Sequence, residues 1–205
     1  FPAKVEQHKK LLVRKRYWLF YALTFMGGAR RQIFVVFAGF LMVEKFDFDA
    51  SDIAALFLLN GLMSMIFAPQ IGKLIGYWGE RKSLTWEYIG LIVIFVAYAF
   101  VDNAWIAAAL YVFDHLLFSM AIAQKTYFQK IADPKDMAPT AGVAFSINHI
   151  AAVFLPAAYG LIWIISPAAV FLTGAAMGCV SLILARMVPE NPESGNEVLI
   201  PYLKH

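Results

Sequence analysis

The chain has 205 residues, of which 61% are hydrophobic and only 15% are charged, and its mean hydropathy is +0.66. A soluble core of this size could not also hide several uninterrupted apolar runs of roughly 18 residues or more. The composition therefore excludes soluble enzymes and disordered chains and places the protein in a lipid bilayer. The net charge of +3 does not indicate nucleic-acid binding, because the basic residues flank apolar segments instead of alternating with aromatic ones.

The sequence offers no redox, metal or nucleotide chemistry. Cys179 is the single cysteine and lies within an apolar run, so no disulfide within the chain is expected. No Gly-x-x-x-x-Gly-Lys-Ser/Thr loop occurs, which argues against direct coupling to ATP. We therefore expect no cofactor and no metal site.

Taken in chain order, a basic stretch of residues 1–16 is followed by six apolar segments and then by a polar end. The stretch 1–16 is predicted to be a cytoplasmic linker, and the start at Phe1, without a signal peptide, indicates a position inside a longer chain. Each apolar segment can cross a hydrocarbon core of about 30 Å as a helix. The six segments are residues 17–43, 53–71, 84–101, 104–123, 137–165 and 168–187.

The first segment and the end of the chain need separate interpretation. Arg30 and Arg31 interrupt the first segment, but a loop there would leave pieces of about 12 residues that reach only about 18 Å. One long helix, with a possible kink, is therefore predicted. Residues 17–188 form the predicted six-helix transmembrane half-domain. Residues 189–205 are polar and rich in proline, and they are predicted to be a flexible cytoplasmic tail with nothing to bury.

The basic residues determine the orientation. Of the 17 Lys and Arg residues, Arg30 and Arg31 lie inside a span and Lys45 lies on one face, which leaves 14 on the other face. The positive-inside rule then places both termini in the cytoplasm. We expect a multi-pass protein of the plasma membrane, or of the inner membrane if the cell is bacterial.

Polar side chains inside spans are informative because Arg or Asp at a helix centre costs about 2.5 to 3.5 kcal/mol. They cluster near the middle of the first, second, fourth and fifth spans, whereas Glu87 and Arg186 are assigned to the cytoplasmic edge of the third and sixth. This pattern predicts four helices around a polar cavity and two helices outside against lipid. The predicted substrate-binding residues are Arg30, Arg31, Asn60, Tyr111, Asp114, His115, Asn148 and His149.

Residues 72–82, between the second and third spans, read Gly-Lys-Leu-Ile-Gly-Tyr-Trp-Gly-Glu-Arg-Lys. Their spacing resembles the signature loop of the major facilitator superfamily, although Gly76 replaces the usual aspartate and Tyr77 replaces the usual arginine. With the six-span layout, the region from about residue 10 to residue 188 resembles helices seven to twelve of such a transporter. The resemblance implies an all-α integral membrane fold of six transmembrane helices, arranged as two inverted three-helix repeats that form half of a major facilitator fold.

The resemblance also implies a transporter rather than an enzyme, and a partner. That partner is the N-terminal six-helix half of the same transporter or a second copy of the chain. The resemblance further gives the 72–82 segment a role in gating, in which Arg81 and Lys82 would pair with acidic groups or helix ends. The alternative is that this basic loop only fixes the topology. The predicted gating residues are Gly72, Gly76, Gly79, Arg81 and Lys82.

Arg30 and Arg31 indicate an anion site, because a guanidinium group can bind a carboxylate or a phosphate through bidentate hydrogen bonds. The alternative is an ion pair with Asp114, which would still leave one arginine without a charged partner. Asp114 and His115, with Tyr111 one turn earlier, could carry a proton that exchanges with substrate. The alternative for these two is an ionised Asp114 held against an arginine and a neutral, hydrogen-bonded His115.

Hydrogen bonding between helices alone could explain Asn148 and His149. Two other functional classes stay open. His115 and His149 could be the paired axial ligands of a haem, and an intramembrane hydrolase would need a base beside Ser64, Ser119 or Ser146. The predicted function is a secondary active transporter that moves a small solute, preferably an organic anion, by alternating access. A proton or solute gradient would drive it, as a symporter or an antiporter.

Overall fold

Six helical spans form the framework of the protein. The computed structural model describes residues 13–199, so most of the predicted linker 1–16 and the last part of the predicted tail 189–205 lie outside the described residues. Within the described part, six helices are long and apolar enough to cross a membrane, as the sequence predicted. These spans are Lys15–Phe46, Ala50–Trp78, Glu80–Phe100, Ala104–Ile131, Pro134–Ile165 and Pro167–Arg186.

The first span is a single helical rod that passes through Arg30 and Arg31 without a loop, which confirms the prediction of one long helix. Its regularity is broken just beyond the arginines by a π-helical segment, and such wider turns are frequent at functional sites. The rod consists of a short 3₁₀ turn at Lys15–Tyr17, α1 at Trp18–Ile33, the π-helical segment Phe34–Ala38 and α2 at Gly39–Phe46.

The second and third spans are joined by a single residue. Helix α3 (Ala50–Trp78) continues well past the predicted end at residue 71, and α4 (Glu80–Phe100) starts directly after Gly79. The prediction of a loop over residues 72–83 is therefore wrong. Ile75 is 4% exposed and packs into the core, which favours a continued helix. Gly79 makes the break with φ 79° and ψ 166°, a conformation that is essentially restricted to glycine.

The fourth span also extends further than predicted. It consists of α5 (Ala104–Phe118), a 3₁₀ turn at Ser119–Ala121 and α6 (Ile122–Ile131). The sequence ended this span at residue 123 and assigned the following residues to a loop. The helix continues because Ala123, Tyr127, Phe128 and Ile131 recur at helical spacing and are all buried.

The last two spans are α7 (Met137–Ile165), which follows a 3₁₀ turn at Pro134–Asp136, and α8 (Pro167–Arg186). Ser166 caps α8 through its side chain, which accepts from the backbone N–H of Ala169 at 3.3 Å.

Helices α4 and α8 make the most extensive contact in the bundle, and α1 packs against both α7 and α8. Glycines allow α4 and α8 to approach closely, since a Cβ added at Gly174 or Gly178 would lie 2.7 Å from a side chain of α4. The third and sixth spans are therefore buried against each other on one face. Their predicted position outside a polar cavity stays a prediction. The most exposed of the six spans are the second and fifth.

The segment after α8 packs against the bundle as far as it is described. Val198 is 3% exposed and Glu197 is 7% exposed, which corrects the expectation of a segment with nothing to bury. The hydroxyl of Tyr127 donates to the carbonyl oxygen of Glu197 at 2.7 Å. The N–H of Leu199 donates to the carbonyl oxygen of Met187 at 3.0 Å. A terminus held in this way is tied to the helices beside it.

Candidate functional site

Three ionisable side chains from three helices are buried in one part of the bundle within the spans, at distances where their charges interact without forming an ion pair. Arg30 on α1 is 3% exposed, Glu87 on α4 is 1% exposed and Asp114 on α5 is 6% exposed. The guanidinium carbon of Arg30 lies 4.5 Å from the centroid of the Tyr88 ring, and Arg30 interacts electrostatically with both carboxylates. Nε and Nη1 of Arg30 and Oε2 of Glu87 have no hydrogen-bond partner among the described residues. This cluster can therefore still hydrogen-bond to water or to a ligand.

Glu87 is a candidate that the sequence analysis missed. It was assigned to the edge of the third span, but α4 begins at Glu80, about two helical turns earlier. The signal was present in the sequence as a periodic face, because Glu80, Leu84, Glu87 and Leu91 recur at helical spacing, and all are buried. A carboxylate on the inner face of a membrane helix is a functional candidate by default.

Glu87 also changes the charge balance inside the spans. In the sequence, Arg30 and Arg31 stand against Asp114 alone, which leaves one guanidinium without a charged partner. With Glu87 included, the formal count is +2 against −2. The number of charges alone therefore no longer requires an anionic ligand. Whether one is required depends on where each arginine lies.

The two arginines lie in different environments. Adjacent residues of a helix point about 100° apart, and this places Arg30 inside the bundle and Arg31 on its exposed surface. The guanidinium carbon of Arg31 lies 4.8 Å from the centroid of the Phe118 ring. A small pocket, with room for about one water molecule, separates the two arginines from Asp114. Its apolar walls are Phe34, Leu91, Phe95 and Phe118.

Tyr111 and His115 lie on the same part of α5 as Asp114. Tyr111 is 2% exposed and stacks on Phe34, with the ring centroids 5.3 Å apart. The half-buried His115 ring lies 5.4 Å from Tyr111, and its Nδ1 has no hydrogen-bond partner among the described residues. Asn60 lies on α3, which packs against α5. It is 2% exposed, and neither its Oδ1 nor its Nδ2 has a hydrogen-bond partner among the described residues. The structure thus places Tyr111 and His115 on a helix of the cluster, and Asn60 on a helix that packs against it.

Asn148 and His149 on α7 are both exposed. Asn148 marks a close helix crossing, since a Cβ added at Gly28 would lie 2.5 Å from its Oδ1. His149 makes its contacts within α7, where its Nδ1 lies 2.9 Å from the carbonyl oxygen of Phe145 and the two rings are 3.9 Å apart. The structure therefore does not bring His149 to the cluster, and Asn148 lies at a packing contact between α1 and α7.

Gln124 is a second polar residue that the sequence analysis missed, because it placed this residue after the fourth span. Its Nε2 donates to Thr24 Oγ1 at 2.7 Å, and the hydroxyl of Thr24 donates to the carbonyl oxygen of Phe20 at 2.8 Å. These bonds link α6 to α1. The helical spacing of the buried residues after position 122 could have revealed that Gln124 lies within the span.

The geometry gives no support to the two alternative classes. The hydroxyls of Ser119 and Ser146 donate to carbonyl oxygens of their own helices, at 3.2 and 3.1 Å, and not to a histidine base. His115 and His149 lie on α5 and α7, which do not make an extensive contact. Among residues 13–199, no group of three or more His, Cys, Asp or Glu side chains is placed to hold a metal ion.

The predicted gating residues lie at the junction of α3 and α4. Gly72 and Gly76 belong to the helical end of α3, and an added Cβ would meet no described atom within 4 Å at either position. Lys82 is exposed on the first turn of α4. Gly79 is the residue whose backbone conformation the junction requires.

Two ion pairs anchor this junction. Glu80 pairs with Lys130 of α6 at 2.7 Å, and Arg81 pairs with Glu190 of the segment after α8 at 3.4 Å. Glu80 is 4% exposed in its side chain, whereas Glu190 is 73% exposed. The pair with Lys130 is therefore the better shielded from water and salt.

The chain matches known proteins at the level of a family. A family model described as Major Facilitator Superfamily matches residues 1–156, which is more than half of the 205 residues. A comparison with curated proteins gives no match. The matched range contains the buried cluster and the junction of α3 and α4, and the all-helical fold with six spans is that of half a major facilitator transporter. The chain therefore belongs to the major facilitator superfamily.

Proposed function

We propose that this chain is half of a secondary active transporter that moves a small solute with an acidic group by alternating access, coupled to a proton. The observation that carries the proposal is the separation of the two adjacent arginines. Arg30 is buried and interacts electrostatically with two carboxylates, whereas Arg31 is exposed. An exposed guanidinium midway along a span is costly against lipid, so it favours a water-filled cavity. In that cavity Arg31 binds the acidic group of the solute through two parallel hydrogen bonds.

The buried cluster supplies the coupling. Arg30, Glu87 and Asp114 together carry one positive and two negative formal charges, and their surroundings are of low dielectric constant. One added proton makes this set neutral, which removes the cost of an uncompensated buried charge. The other ionisable groups that face the set are Tyr88 and Tyr98 on α4, and Tyr111 and His115 on α5, with Arg31 across the pocket. Loading and release of this proton would alternate with those of the solute.

A partner unit completes the transport path in this proposal. The second and fifth spans are the most exposed of the six and present large apolar side chains along their lengths. Their exposure supports contact with a further six-helix unit, either an N-terminal half or a second copy. The basic asymmetry of the sequence supports cytoplasmic termini.

Uptake by the full-length protein in proteoliposomes tests the proposal. Radiolabelled organic anions are offered with and without an inward proton gradient. Arg31→Gln should abolish saturable uptake. Arg31→Lys should retain only part of the wild-type uptake, because the point charge of a lysine cannot reproduce bidentate binding. Asp114→Asn should retain solute binding but lose the response to the proton gradient. Arg186→Gln, at an exposed arginine near the end of α8, is the matched control.

Two outcomes would contradict the proposal. Anion uptake by Arg31→Gln at the wild-type rate would exclude Arg31 as the binding group. Uptake by Asp114→Asn that responds to the gradient as in the wild type would exclude the cluster as the coupling site.

A further inference from the structure

We infer that Gln124 and Gly27 form a subsite beside Arg31 that selects solutes carrying a hydrogen-bond donor about one helical turn from their acidic group. The inference rests on the proposed function, because it takes Arg31 as the residue that binds the acidic group. Gln124 would then be a specificity-determining residue, and the donor group of the solute would pack against the backbone of Gly27.

The hydrogen bonds around Gln124 fix which way its side-chain amide points. The hydroxyl of Thr24 donates its proton to the carbonyl oxygen of Phe20 at 2.8 Å, so Thr24 Oγ1 can only accept from Gln124. Nε2 of Gln124 fills that role at 2.7 Å, which turns Oε1 away from Thr24. Oε1 receives no hydrogen bond from the residues that the structure describes, so an acceptor is left available.

This acceptor lies over Gly27, across a space about the size of one methyl or hydroxyl group. A Cβ added at Gly27 would lie 3.8 Å from Gln124 Oε1, and no other neighbouring atom lies within 4 Å of it. The next glycine is different, because a Cβ at Gly28 would lie 2.5 Å from Oδ1 of Asn148. Gly28 is therefore a packing residue at a helix crossing, whereas Gly27 leaves room for a guest. The guest would sit against bare backbone with an oxygen acceptor beside it.

Arg31 lies one turn further along the same face of α1. Residues four apart on a helix are about 5 to 6 Å apart at their Cβ atoms, so Gly27 and Arg31 are neighbours. The opposing span repeats this order, with Phe118 beside Arg31 and Gln124 beside Gly27. The 3₁₀ turn Ser119–Ala121 lies between those two residues. The guanidinium of Arg31 and the acceptor of Gln124 thus lie at two levels of one groove between the first and fourth spans.

The chemistry of the groove defines the ligand. A guanidinium takes a carboxylate or a similar acid, and an amide oxygen takes a hydroxyl or an amine. Gly27 and Arg31 lie one helical turn, about 5 Å, apart along α1, which suits a short chain with the acid at one end and the donor at the other. A short hydroxy acid such as 4-hydroxybutanoate meets both requirements. The same chain without the hydroxyl, butanoate, meets only the first.

Binding of these two radiolabelled acids to the purified full-length protein in lipid nanodiscs tests the inference. Wild type should bind 4-hydroxybutanoate about three- to tenfold more tightly than butanoate, the difference expected of one hydrogen bond. Gly27→Ala should abolish this preference, because the methyl group occupies the space without a clash and alanine favours the helix. Gln124→Leu should do the same by removing the acceptor. Gln129→Leu, at an exposed glutamine of α6, is the control that should keep the preference.

The outcomes separate the subsite from the proposed function. If the wild type binds both acids with equal affinity and Arg31→Gln binds neither, the subsite is overturned and the proposed function stands. If Gly27→Ala still prefers 4-hydroxybutanoate to butanoate, the subsite is also overturned. Gly27→Ala is needed beside Gln124→Leu because Gln124→Leu also loses a hydrogen bond to Thr24. Binding that Arg31→Gln does not change overturns the proposed function. Absence of binding of both acids to the wild type overturns the ligand class inferred here.

Discussion

Neutralising the three buried charges one at a time should have unequal effects on stability. Arg30→Gln leaves Glu87 and Asp114 without a cation in a buried site, and loss of one partner from a buried charged set costs about 3 to 5 kcal/mol. Glu87→Gln leaves one guanidinium and one carboxylate, which balance, and it keeps the size of the side chain. Its cost should stay within about 1 kcal/mol, the value of one ordinary hydrogen bond.

Thermal unfolding followed by intrinsic tryptophan fluorescence measures these effects on protein purified in detergent. A loss of 3 to 5 kcal/mol corresponds to a decrease of about 10 °C in Tm for a chain of this size. The triple variant Arg30→Gln, Glu87→Gln, Asp114→Asn should recover most of that loss, because no buried charge remains. Arg186→Gln, at an exposed site, should be neutral to within about 0.5 kcal/mol. If Glu87→Gln lowers Tm as much as Arg30→Gln does, the charge-balance reasoning is refuted.

Three further predictions concern the junction and the topology. Gly79→Ala should lower stability by about 1 to 3 kcal/mol in the same unfolding assay, because φ at Gly79 is 79°. Gly76→Ala should be neutral or stabilising, because Gly76 is helical and an added Cβ would meet no neighbouring atom. The double change of Arg81 and Lys82 to alanine should slow transport while solute binding to detergent-solubilised protein stays near the wild type, and unchanged transport would return the segment to a purely topological role. In a background without the native cysteine, a cysteine at Asp47 should react with a membrane-impermeant reagent added outside intact cells and one at Lys130 should not; the reverse pattern would refute the orientation.

The number and order of the spans were predictable from sequence because continuous apolar length is a strong signal in a membrane protein. The ends of the spans were less predictable. A hydropathy criterion ends a span at the first polar residues, whereas the helices here continue through them where one face stays buried. Span four shows this, since α6 runs on to Ile131 behind exposed Lys125 and Lys130.

The candidate site was predicted in part, for the same physical reason. Arg30, Asp114 and Tyr111 were found because charge or polarity in the middle of an apolar run is unmistakable. Glu87 and Gln124 lie nearer the ends of their spans, where polar side chains ordinarily contact water or headgroups. Only the tertiary packing shows that Glu87 is buried. Adjacent helix residues point about 100° apart, which explains why Arg30 and Arg31 differ in exposure, but the sequence does not show which of the two is buried.

The π-helical segment Phe34–Ala38 has a consequence for insertions and deletions in the first span. An α-helix that accommodates one extra residue as a π-turn keeps the rotational register of everything beyond that turn. Deletion of Val35, which is 39% exposed, should therefore convert the wide turn into ordinary α-helix and leave the buried faces of α1 and α2 aligned as they are. Deletion of a single residue elsewhere in the span would rotate the outer part by about 100° and turn its buried face outward. The first span thus contains one place at which its length can change by a residue without loss of the fold, and that place lies within one turn of the two arginines.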